Sequence, residues 1–266
     1  MDTNVEYVTH VERVYEVHFC LAVLGGMMAG TLALVGSGEF LERMRGVDAQ
    51  LLVRVGGAAL ARVVIIPTAA VPDGPQVVAR WIVLGRAHFT GLGAAVDAAP
   101  IATRADADDP AIAVRIAAAN VVCFSGGRPG FLLATLKGTR AWAAVRAVYD
   151  QGGVLASCSA GAMILGAKLI APRLRLGWPW RLDDAFGLAP KRLILPHYDA
   201  GPAPLFALVR RSLPPTLTLL GIDEDTALIS DDHGWRVAGR SGVEVARAGQ
   251  RQRYRSGAHL VLNESL

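Results

Sequence analysis

Charge is scarce in this chain. Charged residues make up 19% and aromatic residues 6%, against 52% hydrophobic. So little charge with so much apolar side chain excludes an extended disordered body. At 266 residues the chain can bury a sizeable core, as one large domain or two small ones. Cysteine is rare too: Cys20, Cys123 and Cys158 are odd in number, at spacings that match no disulfide or zinc pattern. That argues against a disulfide-built fold and for a reducing, cytoplasmic compartment. The six histidines include no His-Glu-x-x-His motif, so neither a metal nor another cofactor is expected. The net charge of +4 comes mainly from scattered arginines without interleaved aromatics. A solvated surface explains them, and nucleic-acid binding is not expected.

Residues 1–30 differ in character from the rest of the chain. They start acidic, with Asp2, Glu6, Glu12 and Glu16, and the apolar piece Phe19 to Val23 is too short for a secretory signal or a membrane span. Two readings stand: an appended amphipathic helix, or an upstream extension before a start at Met27 or Met28. The second is preferred, and the segment is expected to be dispensable to a single domain over 31–266.

The body alternates apolar strands with helices. Thr31–Val35, Arg62–Ile66, Gly93–Val96, Val121–Phe124 and Val154–Ala156 read as strands. Helices are expected over Phe40–Leu60, Val77–Leu92, Asp106–Asn120 and Phe131–Tyr149, and from Ala160 onward. Leu193–Leu195 and Thr216–Ile222 read as further strands of the same kind. This order predicts an α/β three-layer sandwich with a mostly parallel central sheet. From Thr226 short strands separated by turns predict a small antiparallel C-terminal extension of that sheet. In parallel sheets ligands bind beyond the carboxyl ends of the strands. The loops at Gly36, Gly126 and Ser159 fall at that edge.

The stretch Gln151 to Gly166 carries the chemistry. A Gly152-Gly153 turn leads into an apolar strand, then Ser157-Cys158-Ser159-Ala160-Gly161-Ala162, then a helix. A nucleophile at a strand-to-helix corner with small residues two positions either side is a nucleophile elbow. Two side chains compete for the corner. With Ser159 there, the flanking residues are Ser157 and Gly161; with Cys158, they are Ala156 and Ala160. Glycine falls where the elbow needs it in the Ser159 register, which is preferred. Acyl transfer also needs a base, an acid and oxyanion donors. His197 follows a strand, and Glu224 ends the next one, between Asp223 and Asp225. The backbone N–H groups of Gly127 and Ala160 are the natural oxyanion donors. Arg128 and Tyr198, each beside one of these positions, are the candidate substrate-binding side chains.

Ser-Ala-Gly-Ala at Ser159–Ala162, Phe-Ser-Gly-Gly at Phe124–Gly127, Pro196-His197 and Gly-Ile-Asp-Glu-Asp-Thr-Ala at Gly221–Ala227 resemble the cyanophycinase and alpha-aspartyl dipeptidase family of serine peptidases. The resemblance runs in the same motif order from Leu32 to about Val245. It implies a class I glutamine-amidotransferase-like fold, with Ser159 as nucleophile, His197 as base and Glu224 as acid. In the dipeptidase branch the acid lies nearer the nucleophile, where Asp183 and Asp184 are the nearest here. The chain departs from the cyanophycinase pattern at Ser157, at Arg128-Pro129, at Leu195-Pro196 and in having its arginines late, at Arg210-Arg211. The implied partner is a small peptide-like substrate, and a homodimer is left open. The alternatives are an amidotransferase-like enzyme using Cys158 and a non-hydrolytic binding domain on the same fold.

Overall fold

The computed structural model describes residues 30–170 and 181–262. The expected N-terminal extension, apart from Gly30, and the Trp178-Pro179-Trp180 segment lie outside those residues.

The apolar runs form strands. In chain order these are β1 (Thr31–Val35), β2 (Arg62–Ile66), β3 (Ala95–Ala98), β4 (Val121–Phe124), β5 (Val154–Cys158), β6 (Gly166–Ile170) and β7 (Leu182–Asp184). They continue as β8 (Ala189–Leu195), β9 (Thr218–Ile222), β10 (Thr226–Asp231), β11 (Gly234–Gly239), β12 (Gly242–Arg247), β13 (Gln250–Arg255) and β14 (His259–Leu260). Between them lie helices α1 (Arg45–Val53), α2 (Pro75–Gly91), α3 (Arg104–Ala107), α4 (Pro110–Ala117), α5 (Pro129–Leu136), α6 (Arg140–Asp150), α7 (Ala160–Leu165) and α8 (Ala203–Ser212).

The strands divide into two sheets. The larger has the order β14-β11-β10-β1-β5-β4-β2-β3. Its five strands from β1 to β3 run parallel, and β10, β11 and β14 are antiparallel. Residues alternate between its faces, as the strand pleat requires. Leu32, Leu34, Val122, Phe124 and Leu155 pack with Ile116 of α4, Leu132 of α5, Val145 of α6 and Ile164 of α7. Ala33, Val35, Ile65, Cys123 and Cys158 face the other way, against Leu51 of α1 and Phe89 of α2. Each fully buried Leu, Ile, Val or Phe among these contributes about 1.5–3 kcal/mol. The three-layer α/β architecture expected from the sequence is therefore present.

The smaller sheet, ordered β13-β12-β9-β8-β6-β7, refines that expectation. The strands over Leu193–Leu195 and Thr218–Ile222 leave the central sheet and pair with each other and with β6. One face of this second sheet joins the first core through Ile194, Leu220 and Ile222, and the other packs on Val209 of α8. The antiparallel tail is shared: β10, β11 and β14 extend the larger sheet, β12 and β13 the smaller. The helix expected from Ala160 onward ends at Leu165, where the chain passes directly into β6. The single helix expected over Phe131–Tyr149 is two. Gly138 breaks it at φ +74°, and the Thr139 hydroxyl accepts from the Trp142 N–H to start α6.

Two alignments place the site. Val35 is in register with Cys158 and Phe124 with Ser157, so β1, β4 and β5 end together. The β9–β10 turn then crosses from the smaller sheet to the larger at that same edge, since Ala227 lies opposite Val35. Asp223, Glu224 and Asp225 sit in that crossing.

Candidate active site

Ser159 stands between β5 and α7, at the N-cap of the helix, with φ +49° and ψ −108°. That is a sparsely populated conformation for a residue with a side chain. The Ser159 N–H donates to the Val35 carbonyl at 2.9 Å, which ties the corner to β1. Gly161 lets the corner form, since a Cβ there would lie 2.5 Å from the Cβ of Phe124. His197 and Asp225 also have positive φ, at +52° and +54°, so three of the six non-glycine residues with positive φ among the described residues sit at this edge.

The three polar side chains form one series. Ser159 Oγ is 2.9 Å from His197 Nε2, and His197 Nδ1 is 2.8 Å from Glu224 Oε1. A carboxylate only accepts, so Nδ1 carries the proton and Nε2 is left as the acceptor for the serine hydroxyl. The Glu224 N–H donates to Asp199 Oδ1 at 2.8 Å, and the Tyr198 N–H donates to the Ile222 carbonyl at 3.0 Å. These bonds fasten the β8 and β9 loops together and hold His197 against Glu224.

The neighbouring acids have other partners. Asp223 is fully buried and accepts from Ser241, from the Gly242 N–H and from Arg253. Asp225 pairs with Arg43 at 2.6 Å. On β7, Asp183 pairs with Arg181 at 3.0 Å and Asp184 with Lys168 at 2.5 Å. Glu224 is the acid at the imidazole.

Cys158 points the other way. It is 3% exposed, lies in the core shared with α1 and α2, and donates its S–H to Glu39 Oε2 at 2.9 Å. Burial, and then the nearby Glu39 charge, push its thiol pKa well above the ordinary range. The other oxygen of Glu39 accepts the Gly126 N–H at 2.8 Å. Sequence reasoning missed Glu39. Its only signal is its place behind Gly36-Ser37-Gly38 at a strand end.

Gly127 has φ +141°, and a Cβ there would lie 2.3 Å from the Ala69 carbonyl oxygen. The amides on either side of it are occupied: Gly126 donates to Glu39, and Arg128 to the Ala69 carbonyl at 2.8 Å. The Arg128 side chain is 65% exposed and pairs with Asp73 at 3.1 Å.

Tyr198 departs from its expected place. It is buried in the core under α8, stacked on Phe206 with ring centroids 4.6 Å apart. Its hydroxyl donates to Glu244 Oε1 at 2.6 Å and accepts from Arg210. Burial first, then the Glu244 carboxylate, push its pKa up to about 12. The left-handed turn at His197 sends the following side chain inward, so the structure does not bring Tyr198 to Ser159. Among the described residues no group of three or more His, Cys, Asp and Glu could hold a metal ion, and no helix is long and apolar enough to cross a membrane.

Serine, histidine and glutamate thus stand in hydrogen-bonded series at the edge of an α/β sheet. The profile of Peptidase family S51 matches residues 32–238. The chain belongs to this family and is a peptidase of the serine type, as its motifs implied. It is similar to a peptidase from an acI-B1 Actinobacterium whose crystal structure is known, with 30% identity and a TM-score of 0.80, over 90% of this chain and 100% of that one. A putative peptidase E protein from Listeria monocytogenes EGD-e shares the fold at 18% identity and a TM-score of 0.56, over 85% of this chain and 98% of that one. No curated protein matches.

Proposed function

We propose that this peptidase hydrolyses the amide bond of a small peptide-like substrate through Ser159, His197 and Glu224. The observation that carries this reading is the series Ser159 Oγ–His197 Nε2, His197 Nδ1–Glu224 Oε1. In this mechanism Ser159 sits at a nucleophile elbow. Its oxygen attacks the scissile carbonyl carbon while its proton passes to Nε2. The oxyanion accepts hydrogen bonds from the Gly127 and Ala160 amides. Glu224 holds the tautomer and stabilises the imidazolium, which then protonates the leaving amine. A water molecule, deprotonated by His197, releases the acyl group from Ser159.

Arg128, exposed beside Gly127, is the side chain best situated to meet a carboxylate of the substrate, exchanging Asp73 for it. The Cys158 register has little support, because a buried thiol with a raised pKa supplies little thiolate. Cys123 and Cys158 are both free and buried, which suits a cytoplasmic setting.

A dipeptide-library hydrolysis screen of the wild type and Ser159→Ala tests the reading. Cleavage of some dipeptides by the wild type, lost in the variant, is expected. Equal cleavage by both would overturn it.

A further inference from the structure

A cavity of about 580 Å³ lies between the end of α8 and the β12–β13 hairpin. It belongs to the far end of the smaller sheet. Leu217, on its wall, precedes β9, whereas Glu224 follows that strand. Five residues of strand separate the two ends by about 17 Å.

Among the described residues Arg210, Arg211, Arg247 and Arg251 line the cavity and no Asp or Glu does, and Leu213 and Leu217 give it an apolar wall. Two of these arginines have an ordinary explanation, since cations in the last turn of α8 complement the helix dipole. Arg247 and Arg251 come from the hairpin instead; Arg247 donates to the Pro215 carbonyl at 3.1 Å, a neutral acceptor that leaves its charge uncompensated. The acid that reaches this group is Glu244. One of its oxygens is held by Tyr198 and by Arg210 at 3.2 Å, and the other is 3.9 Å from Arg251. Arg211 forms no ion pair among the described residues. Among the described residues, one carboxylate against four guanidiniums leaves an excess of three positive charges around a small-molecule-sized space. A cleft lined by one sign of charge raises the local concentration of counter-ions, here anions.

We propose that this cavity binds a small anion carrying two or more phosphate groups. Two phosphates bring roughly three to four negative charges at neutral pH, which matches the excess. Their oxygens suit the planar forks of arginine, and the leucine wall takes the uncharged part of such a molecule.

Arg210 also holds the Tyr198 hydroxyl, so the exposed Arg211 and Arg251 are the positions to vary. Titration calorimetry with inorganic tripolyphosphate, at physiological salt, measures binding to the wild type, Arg211→Glu and Arg251→Gln. Circular dichroism verifies that each variant is folded. One saturable site in the wild type is expected, weakened about tenfold or more in each variant. No saturable binding by the wild type, or undiminished binding by both variants, would overturn the proposal. So would citrate binding more tightly than tripolyphosphate, because the site would then be one for carboxylates. None of these readings depends on hydrolysis, so they stand apart from the role given to Ser159.

Discussion

The Cys158 thiol donates to Glu39 at 2.9 Å, while the Ser159 hydroxyl, one residue on, lies 2.9 Å from His197. Two adjacent nucleophilic side chains thus face two different surroundings, one a closed core and the other an open sheet edge.

Cys158→Ser is therefore expected to keep most of the activity, since a serine hydroxyl can still donate to Glu39. The wild-type thiol should also resist alkylation in the folded protein. Steady-state turnover and iodoacetamide labelling check both points. A loss of about 100-fold or more on this substitution would mean that the thiol takes part in the chemistry.

Glu39→Ala removes the acceptor of the Gly126 N–H and loosens the loop that presents the Gly127 amide. Losing an oxyanion donor outright costs about 100- to 1,000-fold in kcat, so loosening one should cost about tenfold, with KM little changed. Glu39→Gln keeps one acceptor and should recover part of the loss. A change confined to KM would place Glu39 in substrate binding instead.

Gly161→Ala should destabilise the fold by about 1–3 kcal/mol, because the added methyl meets Phe124 in a filled core. Thermal unfolding measures it. An unchanged Tm would show that the corner can relax, and the requirement for glycine would fall.

Asp48 of α1 and His88 of α2 form a buried pair at 2.8 Å. Burial raises the Asp48 pKa, and the bond to His88 opposes the rise without cancelling it. The folded protein thus holds this proton more tightly than the unfolded chain. Its contribution to stability is complete below the ordinary aspartate pKa of about 3.9 and is lost as pH rises through the raised value. Asp48→Asn has no such titration. Its Tm relative to wild type should be more favourable at about pH 8 than at about pH 4. A constant or reversed difference would refute this assignment.

The corner at Ser159 was legible because its cause is local: a Gly-Gly turn, an apolar run and small residues packed into a few positions. His197 and Glu224 were legible as polar residues at strand ends. Glu39 was not, because its partners Gly126 and Cys158 lie 87 and 119 residues on, and a lone acid after a Gly-x-Gly turn looks like any surface loop. Apolar runs marked β8 and β9 as buried strands, but burial on both faces does not say which sheet a strand joins. Tyr198 was assigned to the site by adjacency to His197. Its inward direction goes with its partners Phe206, Arg210 and Glu244, the last of them 46 residues on.

Ser159→Ala should lower turnover by a factor on the order of 10³ or more, His197→Ala by about as much and Glu224→Gln by less, because in the proposed mechanism the glutamate only orients and stabilises the imidazole. Kinetics on any dipeptide the wild type cleaves would check this order. A glutamate variant as impaired as the serine variant would give Glu224 a larger part in proton transfer.

The most direct measurement is to treat the folded wild type with a fluorophosphonate and locate the adduct by peptide mass spectrometry. A single adduct on Ser159, absent when His197 is replaced by alanine, is the predicted result. An adduct on any other residue, or none on the wild type, would contradict the role given to Ser159.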